Sequence, residues 1–95
     1  MANIRRLVLD VLKPHSPNLI DLTTQLADLE GVVGVDISLK EMDQKVENVK
    51  ITVEGESINY EQVERIIIQN GASIHSVDKV SAGTSLIEEV TTQQD

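Results

Sequence analysis

The stretch IRRLVLDVLK (4–13) decides the fold, because its apolar and polar side chains alternate. In an extended chain Leu7, Leu9 and Val11 fall on one side, whereas Arg6 and Asp10 fall on the other. This pattern predicts a strand with one buried face and one mixed face. Two prolines follow shortly after it and cannot donate ladder hydrogen bonds, so the strand is expected to stop there.

A helix is predicted directly after this strand. Ser16 followed by Pro17 is typical of an N-cap with proline at the first helical position. Gly31 suits the left-handed conformation that ends many helices. The apolar side chains between these limits recur at spacings of three and four, as expected for one buried stripe. They are Leu19, Leu22, Leu26 and Leu29.

Two alternating runs, 33–42 and 47–54, are joined by a short polar turn and predict a β-hairpin. Their inward side chains are expected to be Val35, Ile37 and Leu39 in the first run and Val49, Ile51 and Val53 in the second.

A second helix is predicted to begin at Asn59, with Gln62 three residues later as in a capping box, and to end at Gly71. Its buried stripe is expected to contain Val63, Ile66 and Ile67. A last strand is predicted from about residue 72 to residue 80.

The order strand, helix, strand, strand, helix, strand predicts an α+β, ferredoxin-like βαββαβ two-layer sandwich. The antiparallel sheet should have the order 4-1-3-2, with both helices on one face and the other face bare. We expect one domain over residues 1–83 and a polar C-terminal extension over residues 84–95, from which Leu86, Ile87 and Val90 could dock.

Composition limits the partners. Sixteen acidic and eight basic residues give a net charge of -8, which disfavours nucleic acid and anionic membranes. No run of apolar residues approaches the length of a membrane span, and the first ten residues fit a strand better than a signal peptide. With no cysteine in the chain, we expect a cytoplasmic protein without disulfides or thiolate metal sites.

Several functions common on this fold need residues that are missing. RNA-recognition modules stack bases on aromatic rings of the central strands, but the single aromatic residue is Tyr60. Soft-metal chaperones need a pair of cysteines. The loop KPHSP (13–17) has neither the glycines nor the arginines of a phosphate site.

A histidine and carboxylate set is the candidate metal site. If the last strand runs antiparallel beside the first, His75 falls opposite Asp10, with His15 in the nearby loop and Asp78 further along. Such donors suit a divalent cation (calcium, magnesium or zinc). The same Asp10 and His75 define an enzyme alternative. Because the acids lie on an open sheet rather than in a dry cleft, we expect no enzyme.

A regulatory role is a further alternative. The passage LADLEGVVGVDISL (26–39), a helix, glycine and strand, resembles the corresponding segment of ACT-type amino-acid sensors, which bind small ligands at dimer interfaces. The plainer interpretation is that Gly31 and Gly34 are a helix cap and a tight turn.

Self-association is the interaction that the pattern favours. Val8 and Leu12 lie on the bare sheet face, Ile4 is a further candidate there, and Ile68 lies well off the buried stripe of its helix. The two outer strands also have unpaired edges. We therefore expect a homo-oligomer that uses these side chains.

Four separated runs, LVLDVLKPH (7–15), GVVGVDISL (31–39), ENVKITVEG (47–55) and HSVDKVSAG (75–83), resemble a small archaeal family catalogued as domain of unknown function 211. The resemblance covers nearly the whole chain. It implies a ferredoxin-like fold and ring-like homo-oligomers, but no activity, substrate or catalytic residue. Ser16 departs from the acidic residue that is more usual in the family.

Overall fold

The computed structural model describes residues 2–87. Its elements are β1 (Ile4–Pro14), α1 (Leu19–Ala27), β2 (Val32–Met42), β3 (Val46–Ile58), α2 (Tyr60–Gln69) and β4 (Ser73–Ala82). The strands form one antiparallel sheet in the order β2-β3-β1-β4. The predicted ferredoxin-like architecture and its strand order are therefore confirmed. Val90 lies outside the described residues, as does the extension beyond residue 87.

The core lies between one face of the sheet and the two helices. Alternate residues of the two central strands are fully buried and pack with two residues from each helix. The strand residues are Leu7, Leu9, Val11, Val49, Ile51 and Val53, and the helix residues are Leu22, Leu26, Val63 and Ile67. The side chains of all six strand residues point to the same face of the sheet, because they occupy alternate positions of paired strands. Both helices therefore cover that face, and the other face is left open.

The start of α1 differs from the prediction. Asn18, rather than Ser16, is the N-cap, and its Oδ1 accepts a hydrogen bond from the backbone N–H of Asp21 at 2.9 Å. The prediction placed Pro17 in the first turn, whereas its carbonyl instead accepts a hydrogen bond from the Lys13 side chain. Because Lys13 is also bound to Glu47 of β3, a partner that no local pattern reveals, this short-range hydrogen bond holds residues 15–17 in a loop.

The end of α1 was also predicted too late. The helix ends at Ala27 with Asp28 as its C-cap, and Gly31 adopts its positive φ of 87° three residues later. At α2 the predicted cap is correct, since Asn59 accepts the N–H of Gln62.

Two apolar side chains lie elsewhere than predicted. Leu39 was expected inside but is 45% exposed, because β2 is an edge strand and receives less cover. Ile4 was expected on the open face, and this is wrong. A register shift between Ile4 and Arg6 places Ile4 opposite the buried Ile58, and it packs against the core.

The connection between α1 and β2 passes close to the backbone of β3 at Gly31. The carbonyl oxygen of Gly31 accepts the N–H groups of Glu56 and Ser57. A Cβ atom added to Gly55 would lie 2.0 Å from that oxygen, well inside van der Waals contact. Only a glycine fits at position 55, since the neighbouring atoms are backbone and are held by the sheet.

We predict that Gly55→Ala destabilises the fold by at least about 3 kcal/mol, because the added methyl group must displace backbone. Gly34→Ala is the matched control: nothing lies within 4 Å of a Cβ atom there, so the change should stay within about 0.5 kcal/mol of the wild type. Urea unfolding of the three proteins measures both. Equal midpoints for the two variants would contradict the close approach of Gly31 and Gly55.

Candidate functional site

One charged side chain is fully buried among the described residues. Lys13 has no exposed surface, and its Nζ donates to the carbonyl oxygens of Pro14 and Pro17, each at 2.6 Å. Its third partner is Oε1 of Glu47 at 3.1 Å. Lys13 on β1 pairs with Glu47 on β3, and both side chains point to the same helix-covered face as the core residues. The ammonium group therefore has three acceptors for its three protons.

His15 joins this ion pair from the loop that follows β1. Its Nδ1 lies 2.9 Å from Oε2 of Glu47, and its Nε2 lies 3.0 Å from the carbonyl oxygen of Asp43 in the β2–β3 turn. Glu47 thus uses one oxygen for Lys13 and the other for His15. The three side chains link the end of β1, the start of β3 and the turn of the hairpin.

Hydrogen bonds in this region shift the pKa values of Glu47, Asp43 and His15. The hydrogen bond to Glu47 raises the pKa of His15 above its ordinary value. The hydrogen bonds from His15 and then from Lys13 lower the pKa of Glu47. The pKa of Asp43 is also lowered, because its side chain accepts the N–H groups of Val46 and Lys45. The charged forms of His15, Glu47 and Asp43 are therefore favoured.

The open face of the sheet holds a separate concavity at the same end, with a volume of about 330 Å³. It is lined by three acids, one histidine, one amide and three apolar side chains. The polar residues are Asp10, Glu41, Asp43, His75 and Asn48, and the apolar ones are Leu12, Met42 and Val46. Asp10 is held by the amide of Asn48, which donates to its Oδ1.

The four predicted metal ligands do not all meet. Asp10 and His75 line the same concavity, as predicted, whereas His15 has both ring nitrogens committed to Glu47 and Asp43. Asp78 accepts a hydrogen bond from Ser76 further along β4. Within residues 2–87, no three histidine, aspartate or glutamate side chains are close enough to hold a metal ion.

Two irregularities in β4 determine where its side chains go. Asp10 pairs with Ser76 and Val11 with Ile74, so His75 is an extra residue, a β-bulge. Asp78 is a second bulge, between the pairs Val8–Lys79 and Leu9–Val77. His75 was predicted opposite Asp10 and lies one position away. A bulge cannot be read from alternation alone, because it interrupts the alternation.

Lys13 and Glu47 were not singled out from the sequence, although a signal was present. Each occupies the inward position next to a run of buried residues, Lys13 after Val11 and Glu47 before Val49. Opposite charges at inward positions of two paired strands predict a buried ion pair.

Of the two glycines that resemble an ACT-type sensor, Gly31 has a different explanation. Gly31 has no room for a side chain, since a Cβ atom there would lie 2.1 Å from the carbonyl oxygen of Ser57. This packing requirement accounts for Gly31 without any ligand.

Fold and site together define a small ferredoxin-like α+β protein with an ionic cluster and an acidic concavity at the hairpin end of its sheet. Its described helices are too short and too polar to cross a membrane. The chain belongs to the family of domain of unknown function 211, an uncharacterised archaeal group whose model matches residues 5–95.

A curated relative is similar over the whole length. The chain is 46% identical over 95 residues to the uncharacterized protein MJ0319 of Methanocaldococcus jannaschii, covering all of this chain and 98% of the relative. The predicted family is therefore correct. Neither comparison names an activity.

We predict that Glu47→Gln destabilises the protein by about 3 kcal/mol, because it removes the carboxylate partner of a buried ammonium group. Lys13→Met keeps a similar volume and removes the buried charge. The double variant should therefore be more stable than the sum of the single effects implies, with a coupling of about 1 to 3 kcal/mol. Urea unfolding of the four proteins gives the coupling. Strictly additive effects would show that the two side chains act independently.

Proposed function

We propose that this chain is a non-enzymatic, self-assembling protein whose copies associate head to tail into a ring, with sites at the subunit junctions. The observation that carries the proposal is the presence of two apolar patches on different surfaces. The hairpin patch consists of Leu12, Met42 and Val46. The edge patch consists of Val77 and Val80 of β4, and Ile68 of α2 is a further exposed apolar side chain outside both patches.

Both patches expose large apolar side chains. In the hairpin patch Met42 is 63% exposed and Val46 is also exposed. In the edge patch Val77 is 45% and Val80 is 54% exposed, and Ile68 on α2 is 58% exposed. Val77 and Val80 lie on the helix-covered side of the sheet, opposite Leu9 and Leu7, but β4 is an edge strand and α2 leaves them partly uncovered. Exposed apolar side chains that cluster in this way favour contact with another protein surface.

The distribution of charge favours contact of a hairpin patch with an edge patch over contact between two hairpin patches. The hairpin patch borders Asp10, Glu41 and Asp43, which line the same concavity. Two hairpin patches facing each other would bring these carboxylates together, and like charges across an interface cost free energy. The edge patch has charges of both signs nearby, among them Asp78 and Lys79. A hairpin patch on an edge patch is a heterologous contact, and repeated heterologous contacts form a ring where the rotation between neighbours closes.

The middle of the open face is less suited to this role than the sequence suggested. Val8 is half-buried between Thr52 and Lys79. The neighbouring polar side chains bond to one another, as in the pair of Arg6 and Glu54 at 2.8 Å. Of the residues predicted for the interface, Leu12 therefore remains in this proposal as part of the hairpin patch, and Ile68 remains an exposed candidate outside both patches.

The divalent-cation hypothesis takes a more specific form at such a junction. Asp10 and His75 supply two donors from one chain, and a typical site needs more. A second copy docked over the concavity would have to supply the others. The cation is therefore proposed as a component of the assembly rather than of the single chain.

We predict a wild-type mass several times that of one chain at about 10 µM in sedimentation velocity. Met42→Lys and Val80→Lys should each raise the dissociation constant at least about tenfold, since each places a charge in a contact that excludes water. Ile20→Lys is the matched control, because Ile20 is 72% exposed on α1 and belongs to neither patch. A monomeric wild type would overturn the proposal, as would equal weakening by all three variants.

The cation is tested separately by elemental analysis of the protein purified without chelators. We expect a bound divalent metal in the assembled fraction and its loss in Asp10→Asn and His75→Gln. Absence of calcium, magnesium and zinc, with no change in mass when each is added, would remove the cation and leave the assembly proposal intact.

A further inference from the structure

His15 has an arrangement that only its charged form satisfies. Both ring nitrogens face oxygen atoms that can only accept hydrogen bonds, a carboxylate oxygen of Glu47 at 2.9 Å and the backbone carbonyl of Asp43 at 3.0 Å. An imidazolium ion carries a proton on each nitrogen and donates to both. Neutral imidazole carries one proton, so one nitrogen lone pair would then face an oxygen lone pair.

Loss of the proton therefore breaks one of the two contacts, whichever tautomer remains. If Nδ1 keeps the proton, the contact with Asp43 is lost. If Nε2 keeps it, the nitrogen lone pair meets the carboxylate of Glu47. In the first case the ring no longer joins the loop after β1 to the β2–β3 turn, and in the second case the carboxylate of Glu47 repels the ring and no longer holds it in position.

The other charged groups at this position do not replace the ring. Lys13 is committed to Glu47 and to two carbonyl oxygens of its own loop. The carboxylate of Asp43 is occupied by the N–H groups of Lys45 and Val46 within the turn. The carboxylate of Glu47 already contacts both Lys13 and His15. His15 is therefore the group whose protonation changes the contact between loop and turn.

The turn that His15 holds is also the one that carries the hairpin patch. Met42 immediately precedes Asp43, and Val46 closes the turn through two hydrogen bonds with Asp43, one to its backbone and one to its side chain. Any change in the position of Asp43 is transmitted directly to both apolar side chains.

We propose that His15 is a protonation-dependent latch that fastens the β2–β3 turn to the loop after β1, and that the latch controls how the hairpin patch is presented to a second copy of the chain. The second half of this inference rests on the assembly proposed above. The first half concerns the single chain and stands without it.

The direction of the pH dependence follows from the geometry and agrees with the raised pKa of His15. A raised folded-state pKa means that the latch contributes fully below the ordinary histidine value of about 6.5 and is lost as the pH rises through the higher folded value. At the acidic end, Glu47 has a lowered pKa, so its contribution is lost only as the pH falls through that lower value. The latch is closed between these two limits.

The test is a pH titration of the full chain, followed by NMR with a chelator present and by sedimentation both with and without the chelator, since the cation is proposed as a component of the assembly. In His75→Gln, His15 is the remaining histidine, and its ring signals are assigned without ambiguity. We expect both ring nitrogens to be protonated at pH 6, a titration above the ordinary histidine range, and a parallel shift of the backbone amides of residues 43–46.

For assembly, we expect the wild-type dissociation constant to rise by about fivefold or more across the same titration. His15→Gln should remove this step, because glutamine does not titrate, whereas Ile20→Lys, which changes an exposed side chain outside both patches, should keep it. Both variants change a partly or fully exposed side chain, and far-UV circular dichroism at each pH checks that they remain folded.

The outcomes separate the two proposals. A His15 pKa at or below the ordinary range, or turn amides that do not follow its titration, would overturn the latch. A latch that titrates as expected in an oligomer whose mass and dissociation constant ignore pH would overturn the control of assembly. A chain that is monomeric at every pH would overturn the proposed function, while the NMR readout would still decide the latch.

Discussion

β1 lies between two neighbours, β3 and β4, and a strand sends its side chains strictly to alternate faces. Leu7, Leu9 and Val11 must therefore all lie beneath the helices once any one of them does. A shift of one residue in pairing would move all three to the open face. The regular pairing of β1 with β3 from Arg6 to Pro14 fixes the core from the centre of the sheet outward.

The same alternation produces the ionic cluster. Beyond Val11 the next inward position is Lys13, and before Val49 it is Glu47, so the strands deliver opposite charges to the end of the core. The lysine is tolerated there because three oxygens surround its ammonium group. A buried ion pair is weak evidence for stability, and most other positions of the loop would leave this ammonium group without partners. We infer that Lys13 orders residues 14–17.

The sequence determined the element order, the sheet order and most of the core, because these depend on periodicity. It was less informative where a contact between distant residues overrides a local preference. Ser16 and Asn18 are both good caps, and the choice between them depends on Lys13, which Glu47 of the distant strand β3 holds in place. The bulges at His75 and Asp78 likewise arise from the pairing of two strands. They explain why Asp10 and His75 share a concavity as predicted, whereas Asp78 lies further away with Ser76.

His15 was predicted as a metal ligand, but its surroundings favour a different chemistry. The sequence suggested a metal ligand because histidine and carboxylates were expected near one another. The structure brings His15 to a carboxylate, but that carboxylate is Glu47, and the second ring nitrogen meets a backbone carbonyl instead of a vacant coordination position. A metal ligand must offer a lone pair, whereas this ring has two acceptors in front of it and is satisfied by donating two protons. The surroundings of His15 thus favour proton binding over metal binding, and they place that proton at the base of the hairpin.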